Sequence, residues 1–426
     1  MKDKVTSLDE YGVFIEKLHS AVKERKERKI AIVYGDIKYF KYFNDTYGYD
    51  RGDALLARVA DMTVGESDGF VGASRVVSDN IVGAYYYEDV TSEELYASLS
   101  ITTADIERQL REEFNCNRIR LAVGVYLIDE KNADINPETA VSNANLARKK
   151  AKETGSVSVV FFKEEMAESL NRELEIISSV DKAIEDHEFI AYYQPKIDSN
   201  TGKLCGAEAL IRWKKKDGKF VFPDQFIPAI EKSRQIIEVD YYMYREVFRF
   251  IRECIDEGKE IVPISLNVSR QHMKHLEIVD YIEKLLDEYD VPRKLLEFEI
   301  TETVCMEDAT NATKFIDALH RMGIIVSMDD FGSGFSSLNL LSEIPLDVIK
   351  LDRCFLHSNE LSDKEKVIIT SIVAMVKNLD MISLCEGVET RNQSEFLKEV
   401  GCDIQQGYFF SRPIPEEEFV AMLKNA

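Results

Sequence analysis

The second half of the chain alternates short apolar, β-prone runs with longer segments of helical periodicity. Seven of the runs lead into a carboxylate, an amide or a lysine, and a turn or a helix start follows. Strands that alternate with helices predict a parallel sheet closed by crossover helices, so we expect a (β/α)8 barrel in this half. The seven runs are Gly206 to Trp213, Pro263 to Ser269, Leu296 to Thr303, Val326 to Gly334, Val348 to Asp352, Ser383 to Thr390 and Asp403 to Pro413.

The polar residues of these runs have the composition of a metal site. In such a barrel the C-terminal strand ends converge on one mouth, so we expect seven of these side chains to face one cavity. Oxygen ligands without a histidine cluster favour Mg²⁺ or Mn²⁺ over zinc. Several carboxylates around two hard cations form the arrangement that hydrolyses phosphodiesters. The seven side chains are Glu208, Asn267, Glu299, Asp329, Asp330, Glu386 and Gln406.

The first half has a different pattern and predicts a separate α+β domain. Lys29 to Ile37 and Arg118 to Ile128 are strand-like, whereas Ala54 to Met62 and Pro137 to Glu153 are helix-like. These elements fit a nucleotide-cyclase-like domain with a central, mostly antiparallel sheet and flanking helices. The charged segment Phe161 to Ile184 has apolar residues at helical spacing, which favours either a connector or the first helix of the second domain.

Composition restricts the partners and the compartment. The 426 residues favour two or more domains, and 45% hydrophobic content suffices for full cores. No apolar run reaches membrane-spanning length, and the N-terminus has no signal-peptide core. The seven cysteines are scattered and form no CxxC pair, which is typical of reduced thiols. We therefore expect a cytoplasmic protein without membrane contacts. A net charge of −23 argues against a DNA or RNA polymer partner but allows a dinucleotide held by metal ions.

Eight motifs from about Leu170 to the C-terminus give this half a specific resemblance. The chain here resembles the EAL family, phosphodiesterases that open cyclic di-GMP to the linear dinucleotide pGpG on a TIM-like (β/α)8 barrel. The motifs are Tyr193-Gln194-Pro195, Glu208-Ala209-Leu210-Ile211-Arg212-Trp213, Asn267-Val268-Ser269, Glu299-Ile300-Thr301-Glu302, Asp329-Asp330-Phe331-Gly332, Lys350-Leu351-Asp352, Glu386-Gly387-Val388-Glu389-Thr390 and Gln406-Gly407-Tyr408. A lone EAL tripeptide would carry no weight, but eight motifs in order are specific.

The resemblance implies roles for individual residues. Lys350 and Glu386 would act on the attacking water, and Glu302 would hold the loop that follows Asp330. Asp329 would be shared by two cations, Mg²⁺ or Mn²⁺, and the barrel would form a homodimer. The metal ligands implied are Glu208, Asn267, Glu299, Asp329 and Asp330. The substrate contacts implied are Gln194, Leu210, Arg212, Glu389 and Gln406, the last of which would also support the network of metal and water.

Roughly the first 163 residues resemble the GGDEF family, which makes cyclic di-GMP from two GTP. The resemblance rests on Asp36 to Asp45, Tyr47-Gly48, Gly52-Asp53 and Ala151 to Gly155. The signature is degenerate, because Val77 to Ile81 read Val-Ser-Asp-Asn-Ile where the family has Gly-Gly-Asp-Glu-Phe.

These substitutions predict that the first half has lost cyclase activity. Asn80 replaces the catalytic carboxylate and cannot act as a base. Val77 is expected to fit a hairpin turn poorly where the family has glycine, and Lys38 replaces the second acid of the Asp-x-Asp run. The resemblance leaves a GTP-binding regulator and a purely structural unit open. The GTP contacts implied are Asp36, Asn44, Asp53, Asp79 and Lys152.

We therefore expect a degenerate GGDEF domain at 1–163, a helical connector at 164–178 and an EAL phosphodiesterase barrel at 179–426. Two functions stay open: a metal-dependent hydrolase regulated by its first domain, and a cyclic di-GMP receptor or scaffold that does not cleave. Receptors of that type usually lack several metal ligands or the catalytic glutamate, and none is missing here. An active cyclase is disfavoured by Asn80.

Overall fold

The computed structural model describes residues 2–25, 28–64, 69–88, 90–155, 157–332, 340–356 and 361–424. The chain divides into two compact units, Met1–Arg172 and Glu173–Ala426. Ser333 and Gly334, which end one of the predicted runs, lie outside the described residues. Among the helices described, none is long and apolar enough to cross a membrane.

The first unit is a five-stranded sheet with helices on both faces, which confirms the predicted α+β domain. Strand order is β2-β3-β1-β4-β5; β1 is antiparallel to β3 and β4, and only β5 runs parallel to its neighbour β4. The strands are β1 Lys29–Ile37, β2 Phe70–Val77, β3 Asn80–Tyr87, β4 Leu121–Ile128 and β5 Val159–Phe161, and the helices are α1 Tyr11–Glu24, α2 Phe40–Tyr47, α3 Tyr49–Val64, α4 Ser92–Glu113 and α5 Pro137–Glu153.

Two apolar layers explain why β1 is an almost continuous apolar run. Ile30 and Ile32 pack with Phe14 of α1, whereas Ile37 packs with Leu55 of α3 on the other face. A strand buried on both faces loses the polar alternation of a half-exposed strand.

The β2–β3 hairpin carries the degenerate signature, and one expectation about it is wrong. Val77 is the last residue of β2, is 64% exposed and pairs with Asn80 across a two-residue turn. The positive φ, 53°, falls on Ser78. Because an extended backbone suits a β-branched side chain, Val77 is well accommodated, and the strain of replacing a glycine lies at Ser78.

The charged segment predicted to be helical forms α6, Glu164–Glu185. Its C-terminal part belongs to the second unit, where Val180 and Ala183 are buried in an apolar cluster with Trp213 and Phe226. That packing fits the interpretation of this part as the first helix of the second domain.

The second unit contains a closed barrel of eight strands in the order β6-β7-β9-β10-β11-β12-β13-β14, with β14 pairing back onto β6. Each of the seven predicted runs overlaps one of these strands, as expected. Strand β6, however, is antiparallel to both of its neighbours. The strands of this unit are β6 Phe189–Asp198, β7 Leu204–Lys214, β8 Phe220–Val221, β9 Ile264–Asn267, β10 Leu296–Thr301, β11 Ile325–Phe331, β12 Val348–Leu351, β13 Ile382–Cys385, β14 Ile404–Gln406 and β15 Ile414–Pro415.

Helices surround the barrel and bury its outer face. Strand β10 illustrates the division, because alternate side chains point to opposite faces of a strand: Phe298 and Ile300 join the outer apolar core, while Glu297 and Glu299 lie on the other face. The helices are α7 Pro223–Ser233, α8 Ile236–Asp256, α9 Glu277–Tyr289, α10 Glu302–Glu307, α11 Ala309–Met322, α12 Leu340–Glu343, α13 Asp363–Asn378, α14 Arg391–Glu399 and α15 Glu416–Leu423, and short 3-10 turns span Arg270–Lys274, Arg293–Leu295 and Arg353–Leu356.

Candidate metal centre

A buried lysine surrounded by four carboxylates occupies the mouth of the barrel. Lys350 on β12 is fully buried, and its Nζ lies 3.4 Å from Glu208 Oε2, 3.0 Å from Asp329 Oδ1 and 2.6 Å from Glu386 Oε1. It also contacts Glu299 Oε2. Glu208 lies in the middle of β7, Glu299 and Asp329 lie in the C-terminal halves of β10 and β11, and Glu386 is the residue after β13. Parallel strands that end at one mouth thus bring together groups distant in sequence.

Two amide side chains fix the orientation of Glu208. Gln406 Nε2 donates to Glu208 Oε2 at 2.7 Å, and Asn267 Nδ2 donates to Glu208 Oε1 at 2.9 Å. Gln406 Nε2 also lies 3.2 Å from Gln194 Oε1 on β6. Both oxygens of Glu208 are therefore held by amides from two different strands, β9 and β14, which limits its rotamers.

The donor set fits a hard divalent cation. Glu208, Glu299 and Asp329 each offer one oxygen, and these atoms all lie within 4.8 Å of one another. Four clustered carboxylates repel one another unless positive charge compensates them, and in this structure Lys350 supplies that charge. Carboxylate oxygens, together with the amide of Asn267 at the end of β9, are the ligands that Mg²⁺ and Mn²⁺ prefer.

The same crowding perturbs the pKa values of the acids in opposite directions. Burial, together with the charge of Asp329, raises the pKa of Glu386 to about 8, although the Lys350 ammonium opposes the shift. Burial also opposes ionisation of Glu299, but the ammonium groups of Lys350 and Lys196 hold its pKa at about 2. One acid is thus firmly ionised, while another readily accepts a proton.

Asp330 and Glu302 define the start of the loop after β11. Asp330 has a positive φ of 56°, and its N–H donates to Asp329 Oδ1 at 2.9 Å. Burial and the charge of Asp329 raise the pKa of Asp330 to about 6. Glu302 is buried and accepts a hydrogen bond from the N–H of Gly332 at 3.0 Å. This hydrogen bond attaches Glu302 to the first residue after β11, and residues 333–339 of the loop lie outside the described residues.

Three of the expected substrate contacts lie outside this cluster. In the described part of the chain, no hydrogen bond or ion pair joins Leu210, Arg212 or Glu389 to the four carboxylates. Arg212 is half-buried, with its guanidinium 5.5 Å from the ring centre of Tyr192. Glu389 is exposed, and its N–H donates to Gln393 Oε1 at 2.8 Å, which fixes its position just before α14.

The structure also contains a buried ion-pair network that the sequence analysis missed. Lys196 on β6 is almost fully buried, with its Nζ 3.1 Å from both carboxylate oxygens of Glu297 and 3.0 Å from Glu299 Oε1. Glu299 is consequently held between two lysines. The available signals were a lysine within a strand-like apolar run and a second glutamate two residues before Glu299, on the same face of β10.

In the first unit the expected nucleotide residues form two small groups. Asp36, at the end of β1, is buried, and its Oδ2 contacts Arg148 and lies 2.7 Å from Lys152 Nζ. Asp79 in the hairpin turn accepts the N–H of Ile37 at 3.0 Å, which brings both acids to one end of β1. Arg148 was not anticipated from the sequence.

The second group lies on α2 and α3. A Cβ on Gly52 would overlap Asn44 Oδ1, so the absence of a side chain lets Asn44 lie against α3, one residue from Asp53. Among the described residues, Asn44 Oδ1 is buried without a hydrogen-bond partner. Buried acceptors usually have a hydrogen-bond donor, either in the protein or in an ordered water molecule.

Comparison with known families matches both halves of the chain. The family described as "EAL domain" matches residues 177–413, and "Diguanylate cyclase, GGDEF domain" matches residues 1–158. The Pseudomonas aeruginosa protein named bifunctional diguanylate cyclase/cyclic di-GMP phosphodiesterase MucR is 29% identical over 99% of this chain and 61% of its own length. Escherichia coli cyclic di-GMP phosphodiesterase PdeR is 27% identical over 98% of this chain and 62% of its own. The chain thus spans less than two thirds of these relatives.

Two solved structures resemble the fold. A structure titled PaMucR phosphodiesterase, c-di-GMP complex, is 32% identical with a TM-score of 0.55, covering 57% of this chain and 99% of that one. A Vibrio cholerae LapD S helix-GGDEF-EAL structure bound to c-di-GMP has a TM-score of 0.57 and covers 96% of both chains. At 22% identity, the second supports the fold alone.

Proposed function

Because the chain belongs to the EAL domain family and carries a GGDEF domain ahead of the barrel, we propose that it hydrolyses cyclic di-GMP to pGpG. The observation that carries the proposal is the four-carboxylate cluster around Lys350, supported by Gln406 and Asn267. Relatives named cyclic di-GMP phosphodiesterases and an EAL structure titled as a c-di-GMP complex give the substrate class.

We propose two Mg²⁺ or Mn²⁺ ions as cofactors. The residues that would hold them are Glu208, Asn267, Glu299, Asp329 and Asp330. When bound, such ions lower the pKa of water and neutralise the charge of the phosphodiester. Asp329, which the family resemblance assigns to both ions, accepts a hydrogen bond from the N–H of Asp330 and lies 3.0 Å from Lys350 Nζ, and these contacts would orient it as a ligand.

The chain's own side chains supply positioning and proton transfer. Lys350 contacts the proposed metal-binding acids and Glu386, so its ammonium lies where an attacking oxygen would need a hydrogen-bond donor. Glu386, with its raised pKa, is suited to accept the proton of that oxygen. Glu302 holds Gly332 at the start of the loop after β11.

Substrate recognition is assigned to residues around the mouth. Arg212 presents a planar fork of donors suited to a phosphate oxygen. The amides of Gln194 and Gln406, together with Leu210 and Glu389, are proposed to contact the rest of the dinucleotide. We also propose a homodimer formed by the EAL domain, on the family resemblance alone.

The test is to incubate the purified chain with cyclic di-GMP and Mg²⁺ or Mn²⁺ and to separate the products. We expect pGpG from the unaltered chain, none in excess chelator, and none from Glu208→Gln or Asp329→Asn. Asp317→Asn, an exposed acid on α11, is the matched control and should retain activity. Full hydrolysis in chelator contradicts the metal mechanism, and binding without hydrolysis in either metal makes the chain a receptor.

We further propose that the first domain makes no cyclic di-GMP and binds GTP as an effector. The amide of Asn80 lies where the family has its catalytic carboxylate and donates to the carbonyl of Val77 at 2.9 Å. The best test uses the full Glu208→Gln chain, in which any cyclic product would accumulate. Cyclic di-GMP formed from GTP and Mg²⁺ would overturn the loss of cyclase activity.

A further inference from the structure

We propose that Lys196 is a positioning residue that restricts Glu299 to binding a metal through one oxygen, and that it thereby favours Mg²⁺ over Ca²⁺ at the metal centre. The inference rests on the metal ions proposed above and adds a determinant of which ion is bound. Lys196 lies on β6, and its side chain is almost fully buried. Its ammonium therefore depends on protein partners in place of water.

The first observation is that Lys196 uses all its donors on two glutamates of β10. Its Nζ lies 3.1 Å from both carboxylate oxygens of Glu297 and 3.0 Å from Glu299 Oε1. An ammonium group has three donors, so none is left for a further partner. Because the group is buried and fully bonded, Glu297 fixes the point from which Lys196 holds Glu299.

The second observation is that the two oxygens of Glu299 have different partners. Oε2 contacts Lys350, which also contacts Glu208 and Asp329, so this oxygen belongs to the cluster of acids. Oε1 is bonded to Lys196, and in the described part of the chain no ion pair joins Lys196 to Glu208 or Asp329. Lys350 thus shares the oxygens that a cation would use, whereas Lys196 occupies the other oxygen of Glu299 and leaves Oε2 available.

The third observation is that the fold makes room for Lys196 beneath the mouth. Glu297 precedes Glu299 by two residues on the same face of β10, which places it about 6–7 Å further from the mouth. Lys196 pairs with Gly206 on β7. A Cβ on Gly206 would lie 3.4 Å from Lys196 Cδ and 3.3 Å from the carbonyl oxygen of Pro263, so the missing side chain accommodates the lysine stem. Lys196 therefore reaches Glu299 from the layer below the mouth.

The consequence concerns the choice of metal ion. Mg²⁺ demands near-ideal octahedral geometry, whereas the larger Ca²⁺ takes about 6–8 oxygens and readily accepts both oxygens of one carboxylate. Glu299 cannot offer both oxygens without giving up its buried bond to Lys196, and breaking such a bond is costly. Selectivity between the two ions follows from the number and flexibility of the ligands. A restrained Glu299 therefore suits the smaller, more demanding ion.

The experiment removes the buried pair without changing the net charge. Lys196→Met/Glu297→Met deletes one positive and one negative charge, so general electrostatic effects on cation binding largely cancel, while Glu299 Oε1 loses its partner. Mn²⁺, which also takes octahedral sets of oxygens, is the probe, because free Mn²⁺ is measured by electron paramagnetic resonance. Displacement of Mn²⁺ by Ca²⁺ from the chain without substrate gives the ratio of the two affinities. We expect this ratio to shift toward Ca²⁺ by about tenfold or more.

Two further variants control the experiment. Glu297→Gln keeps an acceptor for Lys196 and leaves the bond from Lys196 to Glu299 in place. Its lost negative charge should weaken the binding of both ions alike, so the ratio should stay unchanged. Lys196→Gln keeps a polar group beside both glutamates, but its amide is one bond shorter and uncharged, so the ratio should shift toward Ca²⁺. Circular dichroism and denaturant unfolding establish that each variant is folded.

The outcomes separate this inference from the proposed metal centre. An unchanged ratio in a folded Lys196→Met/Glu297→Met or Lys196→Gln chain overturns the positioning role and makes Lys196 a structural residue only, with the metal centre intact. A shift of the same size in Glu297→Gln overturns the assignment to Lys196, since the lysine bond to Glu299 is retained there. No Mn²⁺ binding by the unaltered chain overturns the metal centre itself and this inference with it.

Discussion

The two units combine carboxylates and basic groups in opposite proportions at the residues singled out from the sequence. In the barrel, four acids surround Lys350, so the cluster lacks positive charge. In the first unit, Arg148 and Lys152 both bind the single carboxylate of Asp36. The barrel cluster thus has an excess of negative charge, whereas the carboxylate of Asp36 already has two cationic partners. Charge balance, more than the mere presence of an acid, decides what such a site binds.

Burial sharpens the difference. Lys350 and Lys196 are almost fully buried, whereas the side chain of Lys152 is 47% exposed. A buried charge depends on its partners for stability, while a half-exposed one is largely solvated. We therefore expect substitutions of Lys350 or Lys196 to affect both cyclic di-GMP hydrolysis and folding. Substitutions of Lys152 should affect only the proposed GTP binding.

The largest expected effect is on the rate of cyclic di-GMP hydrolysis, and a pair of glutamates on β10 tests it. Glu299→Gln should reduce cyclic di-GMP hydrolysis to background, because removing groups that merely support a metal ligand already costs about 10–100-fold. Glu297→Gln, two residues away on the same face, contacts only Lys196 among the described basic groups and should retain turnover within about tenfold. Initial rates of cyclic di-GMP hydrolysis at saturating Mn²⁺ measure both variants. Equal losses would contradict a metal-binding role specific to Glu299.

The next effect concerns the buried pair beneath the metal centre. Lys196→Met leaves Glu297 and Glu299 without a shared cation, and breaking a buried pair typically costs about 3–5 kcal/mol. Denaturant unfolding of the barrel should show a loss of this size, and Lys196→Met/Glu297→Met should recover much of it. Lys152→Gln in the first unit is the contrast and should change the free energy of unfolding by no more than about 1 kcal/mol. A loss below about 1 kcal/mol in Lys196→Met would contradict the comparison.

The pH dependence of metal-free stability tests whether burial and the neighbouring acids favour protonated Glu386 in the folded chain. The pKa of Glu386 is raised from 4.5 to about 8, so the folded chain binds its proton more tightly than the unfolded chain does. This contribution is complete below the unfolded pKa and is lost as pH rises through the folded one. In chelator, the free energy of unfolding should therefore fall across that interval, and Glu386→Gln should flatten the fall. If the free energy of unfolding falls with pH at the same rate in the unaltered chain and in Glu386→Gln, Glu386 does not have the raised pKa.

Much of the barrel architecture could be predicted from the sequence, because the pattern that identifies each strand spans only a few residues. Each of the seven runs combines an apolar, β-prone stretch with a polar residue and a following turn or helix start, so the identity of each strand is encoded within a few residues. The direction of β6 was not predictable in this way, since side-chain alternation is the same in parallel and antiparallel strands.

The missed residues have partners that are distant in sequence. Lys196 meets Glu297 at a separation of 101 residues, and Arg148 meets Asp36 at a separation of 112. A charged residue within an apolar run can be recognised locally, but its partner depends on the closure of the sheet. Val77 was misjudged for a related reason: the turn positions of the hairpin, and hence the positive φ at Ser78, are set by strand pairing.

The smallest expected effect is coupling between the units. An effector changes activity only if it binds two states of the enzyme with different affinities. The element to examine is α6, Glu164–Glu185, since the boundary between the units falls within it and Val180 packs in the cluster around Trp213. We expect GTP to raise kcat or lower KM for cyclic di-GMP about fivefold, at the low end of typical coupling. Asp53→Asn should abolish this stimulation, with hydrolysis in the absence of GTP as the reference rate. Equal stimulation in Asp53→Asn would place the GTP effect elsewhere. If the chain binds GTP and its hydrolysis of cyclic di-GMP does not change, the proposed coupling between the units is wrong.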